Sequence, residues 1–394
     1  MRLIKNFNKE VAMRKIYVDN ATTSFPKAPS VSDAIKAFLD CSPANINRGG
    51  YAAAYDVATT VAETRQMLCD FFGFDTPRNA VFTPSVTYSL NMILRGFLGR
   101  GDHIITTSME HNGLMRPLHD LAKNGVKIDI AQCDSEGTLD PKDVKKLIEP
   151  ETKAVVMTHA SNVCGTILPI QEVSQICKTH GIKFILDAAQ TAGSVRISMK
   201  EDIDALCFTA HKGLLSSPGL GGMLIKSDFA ALINPIITGG TGSGSHNYAH
   251  PTKMPDKFEA GTPNTPAIIG LREALGYINR IGIDKIFAKE MELTQRFLTQ
   301  ISGFDGVNSI GKKSTVGRTA TVSLDFKNHD NAEISAILDE RFGIMTRCGL
   351  HCSPAAHKTL GTYPNGTVRF SFGYFNTIDD IDYITRSIKW ILDN

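Results

Sequence analysis

The 394-residue chain sets 42 Lys and Arg against 40 Asp and Glu, a formal charge of +2, with 42% hydrophobic and 21% charged residues. So even a balance gives no electrostatic case for a nucleic acid or an anionic membrane partner, and no apolar run is long enough to span a bilayer. The length exceeds one core and favours two domains, and eight scattered cysteines with no C-x-x-C spacing exclude a disulfide scaffold.

The N-terminal stretch MRLIKNFNKEVAMRK mixes charged with apolar residues and has no hydrophobic region of secretory type. A cytoplasmic location with reduced thiols is therefore expected. Residues 1–28 are too few for a domain and are expected to form an arm packed on the remainder. From about residue 80 to 230, short apolar runs alternate with helical patterns. "AVFT" precedes the helical "YSLNMILRGFL"; "DHIITT" and "KIDIAQ" follow; then come "KAVVMTHAS", "KFILDAAQ", "ALCFTAHK" and "GGMLIKS", separated by the helical "DPKDVKKLI" and "IQEVSQICKTHG". Several runs are continuously apolar, as in strands covered on both faces, and their order predicts an α/β fold with a mostly parallel sheet. A large domain is placed at 29–265. Beyond it, the long helical patterns of 267–303 lead into "TATVSLDF", "AEISAILDERFGI", "TVRFSFGYF" and a last helix, a smaller α/β domain over 266–394.

Parallel sheets bind ligands at the C-terminal ends of their strands, so the residues there carry the functional reading. Asp187 and Gln190 follow one strand in "FILDAAQ", and His211 and Lys212 follow the next in "FTAHKG". A desolvated lysine near a carboxylate suits Schiff-base chemistry, and an acid at a strand end can hold a pyridine nitrogen protonated. Singly, each has a plainer alternative, a surface lysine or a helix-capping acid; the ordered pair is the specific signal. "FTPSVTYSLN" puts Ser85, Val86 and Thr87 at a helix start, where backbone N–H groups can receive a phosphate. His111 in "SMEHNG" offers an imidazole for stacking or proton transfer. The Gly/Ser-rich 238–245 lacks a P-loop context and reads as a loop. "RCGLHCSPAAHKTLG" holds Cys348, His351, Cys352 and His357. Metal site, disulfide and single reactive thiol are all open on that stretch alone, although the adjacent His351 and Cys352 count against one shared zinc ion.

Taken together, "YVDNAT", "THASNVCGTILPI", "DAAQ", "AHK", "FEAGTPNTPAIIGL" and "RFSFGYFNT" resemble the fold-type-I pyridoxal-phosphate enzymes of aminotransferase class V, within them the cysteine desulfurases and selenocysteine lyases of the SufS-like group. The resemblance runs nearly end to end. It implies a large domain with a seven-stranded, mostly parallel sheet and pyridoxal 5'-phosphate as cofactor. It makes Lys212 the cofactor-bearing lysine, Asp187 the partner of the pyridine nitrogen, Gln190 the group near the phenolic oxygen and His111 the stacking residue. Val86, Thr87, Thr209 and His211 become phosphate contacts, with Gly261 and Thr262 reaching the phosphate of a neighbouring subunit in a homodimer. Asn162 and Arg369 are implied as substrate-carboxylate ligands, and Cys352 as the nucleophile that takes sulfur from L-cysteine or L-selenocysteine before passing it to an acceptor protein. Arg347 and His351 are candidates for lowering the Cys352 pKa and meeting substrate. No metal is implied. The chain departs from the family pattern at Leu350, at "PSVT", at Asn112, in the longer loop after Lys212 and in the extra Cys348. A class V aminotransferase, epimerase or lyase that does not use Cys352 is the alternative.

Overall fold

The computed structural model describes residues 14–46, 49–243, 246 and 248–394; the expectations for residues 1–13 lie outside them. Strand β1 (Ile16–Tyr17) is followed by helices α1 (Val31–Cys41) and α2 (Ala52–Phe72). Then come β2 (Ala80–Thr83), α3 (Val86–Phe97), β3 (His103–Thr107), α4 (Asn112–Lys123), β4 (Lys127–Ala131), α5 (Pro141–Lys146), β5 (Thr152–Thr158), α6 (Ile170–His180), β6 (Lys183–Asp187), β7 (Ala205–Thr209), β8 (Gly221–Ile225) and α7 (Ser227–Leu232). Strands β2 to β8 form one seven-stranded sheet in the order β2-β8-β7-β6-β5-β3-β4, parallel except for β8, which runs against both neighbours.

The apolar runs are continuous because both faces of this sheet are covered. On β5, Val155 and Met157 enter one core with Phe184, Leu206 and Phe208, while Ala154 and Val156 enter the other with Ile185, Ala205 and Cys207. The long helix α8 (Thr265–Ile281) lays Ile268, Leu271, Leu275 and Ile278 into the first of these cores, a stripe at helical spacing. It stops at Gly282, where φ is +91°, and α9 (Ile283–Ile301) turns Leu293, Phe297 and Ile301 into a different core. Ile286, in the first turn of α9, still belongs to the first core, so the change of core falls within α9, between Ile286 and Leu293.

That last core covers an antiparallel sheet. The remaining elements are β9 (Val307–Ile310), β10 (Thr321–Phe326), α10 (Asn331–Phe342), β11 (Ile344–Met345), β12 (Arg347–Gly349), α11 (Pro354–Thr359), β13 (Thr367–Ser371) and α12 (Ile378–Asp393), with sheet order β12-β13-β10-β9. Strand β1 pairs in parallel with β11, and Ile16 and Val18 lie in the small core, whereas Ala28 lies in the large one. The segment between them, residues 19–27, spans the gap between the two sheets. No helix among the described residues is long and apolar enough to cross a membrane.

Candidate active site

Thr107, Thr158, Asp187 and Thr209 end β3, β5, β6 and β7 at the same edge of the sheet. Asp187 is buried opposite Thr158 and Cys207, and its Oδ1 accepts the Ala189 N–H at 2.9 Å. Burial pushes its carboxyl pKa up, against that bond and the nearby Lys212 charge. Lys212 is not on the strand: β7 stops at Thr209, Ala210 exchanges bonds with Leu220 and Ser216, and Leu215 N–H closes a turn on the Lys212 carbonyl at 2.8 Å. The turn brings Lys212 back over the sheet edge. Desolvation lowers its pKa to about 8, with Asp187 opposing and Arg369 and Arg347 adding to the shift.

The His211 carbonyl, one residue before Lys212, receives four donors from residues 19–27. They are Ser24 N at 2.8 Å, Thr23 Oγ1 at 3.0 Å, Lys27 Nζ at 3.1 Å and Ser24 Oγ at 3.2 Å. Gln190 Nε2 donates to the Ala21 carbonyl at 3.1 Å, so the same segment also holds the turn after β6. Gln190, Lys212, Asn20, Ser371 and Glu290 line a cavity of about 50 Å³. Glu290 is a buried acid that sequence reasoning missed, and burial pushes its pKa up to about 8.

His111 caps α4, accepting Gly113 N–H on Nδ1 at 2.9 Å, which leaves the proton on Nε2. Burial, then Lys212 and Arg347, lower its pKa to about 4, so the ring is neutral. Thr87 Oγ1 lies 3.1 Å from where a Cβ on Gly113 would stand, which puts it beside this cap. Ser85 is the N-cap of α3 and Val86 its first residue, and no side chain caps that terminus. Thr209 Oγ1 and His211 Nδ1 are buried with no protein partner. Buried polar atoms are seldom left so, and these stand where a phosphorylated cofactor of the implied kind would be held.

On the other sheet, Arg347 and Arg369 face each other across β12 and β13. Arg369 is fully buried; Nη1 donates to the Asn162 carbonyl at 3.0 Å, Nη2 to Asp19 Oδ1 at 2.6 Å and to Thr22 Oγ1 at 2.7 Å, and Nε has no partner. A buried guanidinium needs such a countercharge, but Asp19 lies 350 residues away in sequence and nothing local marks the pair. Arg347 Nη1 donates to Thr22 Oγ1 at 3.0 Å and Nη2 to Cys352 Sγ at 3.4 Å.

His351 and Cys352 both adopt left-handed backbone, φ +50° and +59°, at a cost of about 1–2 kcal/mol each for side-chain-bearing residues. The loop is held there by Asn112 N–H on the Cys352 carbonyl, Asn162 Nδ2 on the His351 carbonyl and Ser353 Oγ on Asn162 Oδ1, at 2.8, 2.8 and 2.7 Å. Asn162 thus commits Oδ1 and one of its two Nδ2 N–H donors to the cysteine loop. His351 is likewise buried: Nε2 meets the Arg347 carbonyl at 3.1 Å and Nδ1 meets His357 Nε2 at 3.2 Å, with His357 Nδ1 on Thr362 Oγ1 at 2.7 Å. Burial lowers its pKa to about 2, so it is a neutral brace rather than a cation beside the thiol. The Cys352 residue is exposed. Cys348 sits on β12 opposite Val368, and all eight cysteines are free.

Gly261 and Thr262 are exposed. Thr262 lines a cavity of about 330 Å³ with Tyr88, Ile237 and Phe258.

Comparison with known proteins adds a second line of argument. Residues 16–384 match the model of the family described as aminotransferase class-V. A probable cysteine desulfurase of Pyrococcus abyssi is 32% identical over 391 residues, covering 97% of this chain and 96% of the relative. A cysteine desulfurase of Haloferax volcanii is 29% identical over 95% of this chain and 88% of its own length. Among solved structures, the apo cysteine desulfurase from Thermococcus onnurineus NA1 superposes with a TM-score of 0.90 at 33% identity, covering 96% of this chain and 95% of that one.

Proposed function

The chain belongs to the aminotransferase class-V family, and within it we propose a pyridoxal-phosphate-dependent cysteine desulfurase that takes sulfur from L-cysteine onto Cys352 and releases L-alanine. The observation that carries this reading is the placement of Cys352. It is an exposed thiol on a strained, multiply anchored loop, with an arginine 3.4 Å from its sulfur. An aminotransferase has no use for such a thiol, whereas sulfur transfer needs one whose thiolate is stabilised.

The residues present fit the cofactor. Thr209, His211 and the uncapped first turn of α3, at Val86 and Thr87, would hold its phosphate; Asp187 would meet the ring nitrogen, Gln190 its phenolic side and His111 its face. When bound, pyridoxal phosphate supplies an electron sink for charge developing at the substrate Cα. Lys212 is the group that moves a proton at Cα, and the burial that lowers its pKa to about 8 keeps part of it as free amine near neutral pH. Arg369 offers its unpartnered Nε to the substrate carboxylate, and Nη2, on giving up one of its present acceptors, would complete a bidentate pair. Cys352 thiolate attacks the substrate sulfur: the S–S bond forms, the C–S bond breaks, and its electron pair stays on the carbon that is protonated to give alanine.

A homodimer completes the proposal, with Gly261 and Thr262 serving the phosphate of a second copy and an acceptor protein taking the persulfide from Cys352. Substituting Cys352→Ala tests the reading. Alanine and sulfide formation from L-cysteine should fall about 100-fold or more while the cofactor stays bound, and Cys348→Ser should retain activity. Undiminished turnover by Cys352→Ala would overturn persulfide chemistry at that residue.

A further inference from the structure

The hydroxyl of Thr22 stands between the two arginines. It donates to Asp19 Oδ1 at 2.9 Å and accepts from Arg369 Nη2 at 2.7 Å and from Arg347 Nη1 at 3.0 Å. A hydroxyl has one proton and two lone pairs, so this one is saturated. Arg347 in turn reaches Cys352 Sγ with its other terminal nitrogen. One unbroken chain therefore runs Asp19, Arg369, Thr22, Arg347, Cys352.

Its consequence lies at Arg369. Nη1 gives one N–H to the Asn162 carbonyl and Nη2 gives both of its own to Asp19 and Thr22, leaving Nε the nitrogen with no partner. A carboxylate that binds bidentately across Nε and Nη2 must displace one of the two acceptors now on Nη2, Asp19 or Thr22, and Asp19 acts as an internal occupant of the site. Displacing either breaks the triangle that Nη2 makes with Asp19 and Thr22, themselves bonded to each other, and Arg347, which donates to the same Thr22 hydroxyl, is no longer held as before. We propose that Thr22, with Asp19, is a positioning junction that transmits occupancy of the Arg369 carboxylate site to the Cys352 thiol, so that the thiol is fully activated only when an amino-acid carboxylate has arrived. The inference rests on reading Arg369 as the carboxylate ligand.

The test is a double-mutant cycle read by the rate at which iodoacetamide alkylates Cys352 at fixed pH, followed by mass spectrometry of the Cys352 peptide so that Cys41 and Cys348 do not contribute. Asp19→Asn removes the internal carboxylate. It should raise the Cys352 rate about fivefold in the otherwise native protein, at the lower end of typical couplings between sites. In a Thr22→Val background the same change should have no effect, and in Thr22→Ser, which restores the hydroxyl, the response should return. An equal effect of Asp19→Asn in both backgrounds would mean plain through-space electrostatics and overturn the junction, as would no effect at all. Should Asp19→Asn fold poorly, Thr22→Val against Thr22→Ser carries the test. A rate changed only by Val supports the junction, and two unchanged rates refute it. Alkylation requires no turnover, so desulfuration of L-cysteine by the same samples judges the proposed activity separately.

Discussion

At the scale of single residues, the site is an arrangement of charges held out of water. Lys212 is lowered, Asp187 raised and His111 kept neutral, each first by burial. Lys212, brought down to about 8, is the one of the three suited to proton transfer near neutrality. Glu290 shows the cost of the same environment without a partner: its pKa rises from 4.5 to about 8 through burial alone. Between those values the folded protein binds a proton that the unfolded chain has released, so this residue's contribution to stability falls as pH rises from 4.5 to 8. Glu290→Gln cannot ionise. Its melting temperature should match the native protein's near pH 4.5 and exceed it increasingly toward pH 8; a pH-independent difference would show that Glu290 does not titrate in this window.

At the scale of elements, what matters is how two turns touch. Gly193, with φ +95° after β6, lies so near Gly213 that a Cβ would stand 2.2 Å from the Gly213 carbonyl oxygen. Lys212 adjoins Gly213, so the backbone on that side cannot yield without moving it. Gly193→Ala should therefore cost about 2 kcal/mol or more, from positive φ and overpacking together. It should also weaken cofactor retention, seen as a lower melting temperature and loss of the cofactor's visible absorbance on dialysis. Retention equal to that of the native protein would show that this contact does not set the Lys212 turn.

At the scale of the whole molecule, two of the residues expected to hold the phosphate stand at the surface. Thr209 and His211 adjoin Lys212 in sequence, whereas Gly261 and Thr262 are exposed. If they serve a second copy, purified protein should sediment at twice the chain mass. Mixed dimers of Lys212→Ala and Thr262→Ala chains should then regain activity that neither parent shows, because one of their two sites draws Lys212 and Thr262 from intact partners. No recovery after confirmed subunit exchange would count against shared sites.

The sequence by itself determined the sheet and most of its functional edge. Continuous apolar runs such as "KFILD" and "ALCFT" fit strands covered on both faces, and Asp187, His211 and Lys212 follow from where those runs end. Helices α1, α2 and α4 were not read from the pattern. The family resemblance supplied Cys352 and Arg369, but tertiary structure decided their surroundings. Asn162 and His351 brace the cysteine loop because their polar atoms find partners there. Asp19, Thr22 and Glu290 acquire meaning only when residues 19–27 cross between two cores and a helix from the smaller one closes over the cavity. Periodicity reports which face of an element is dry. It cannot report which polar group, hundreds of residues away, meets a buried charge, because folding alone sets that pairing.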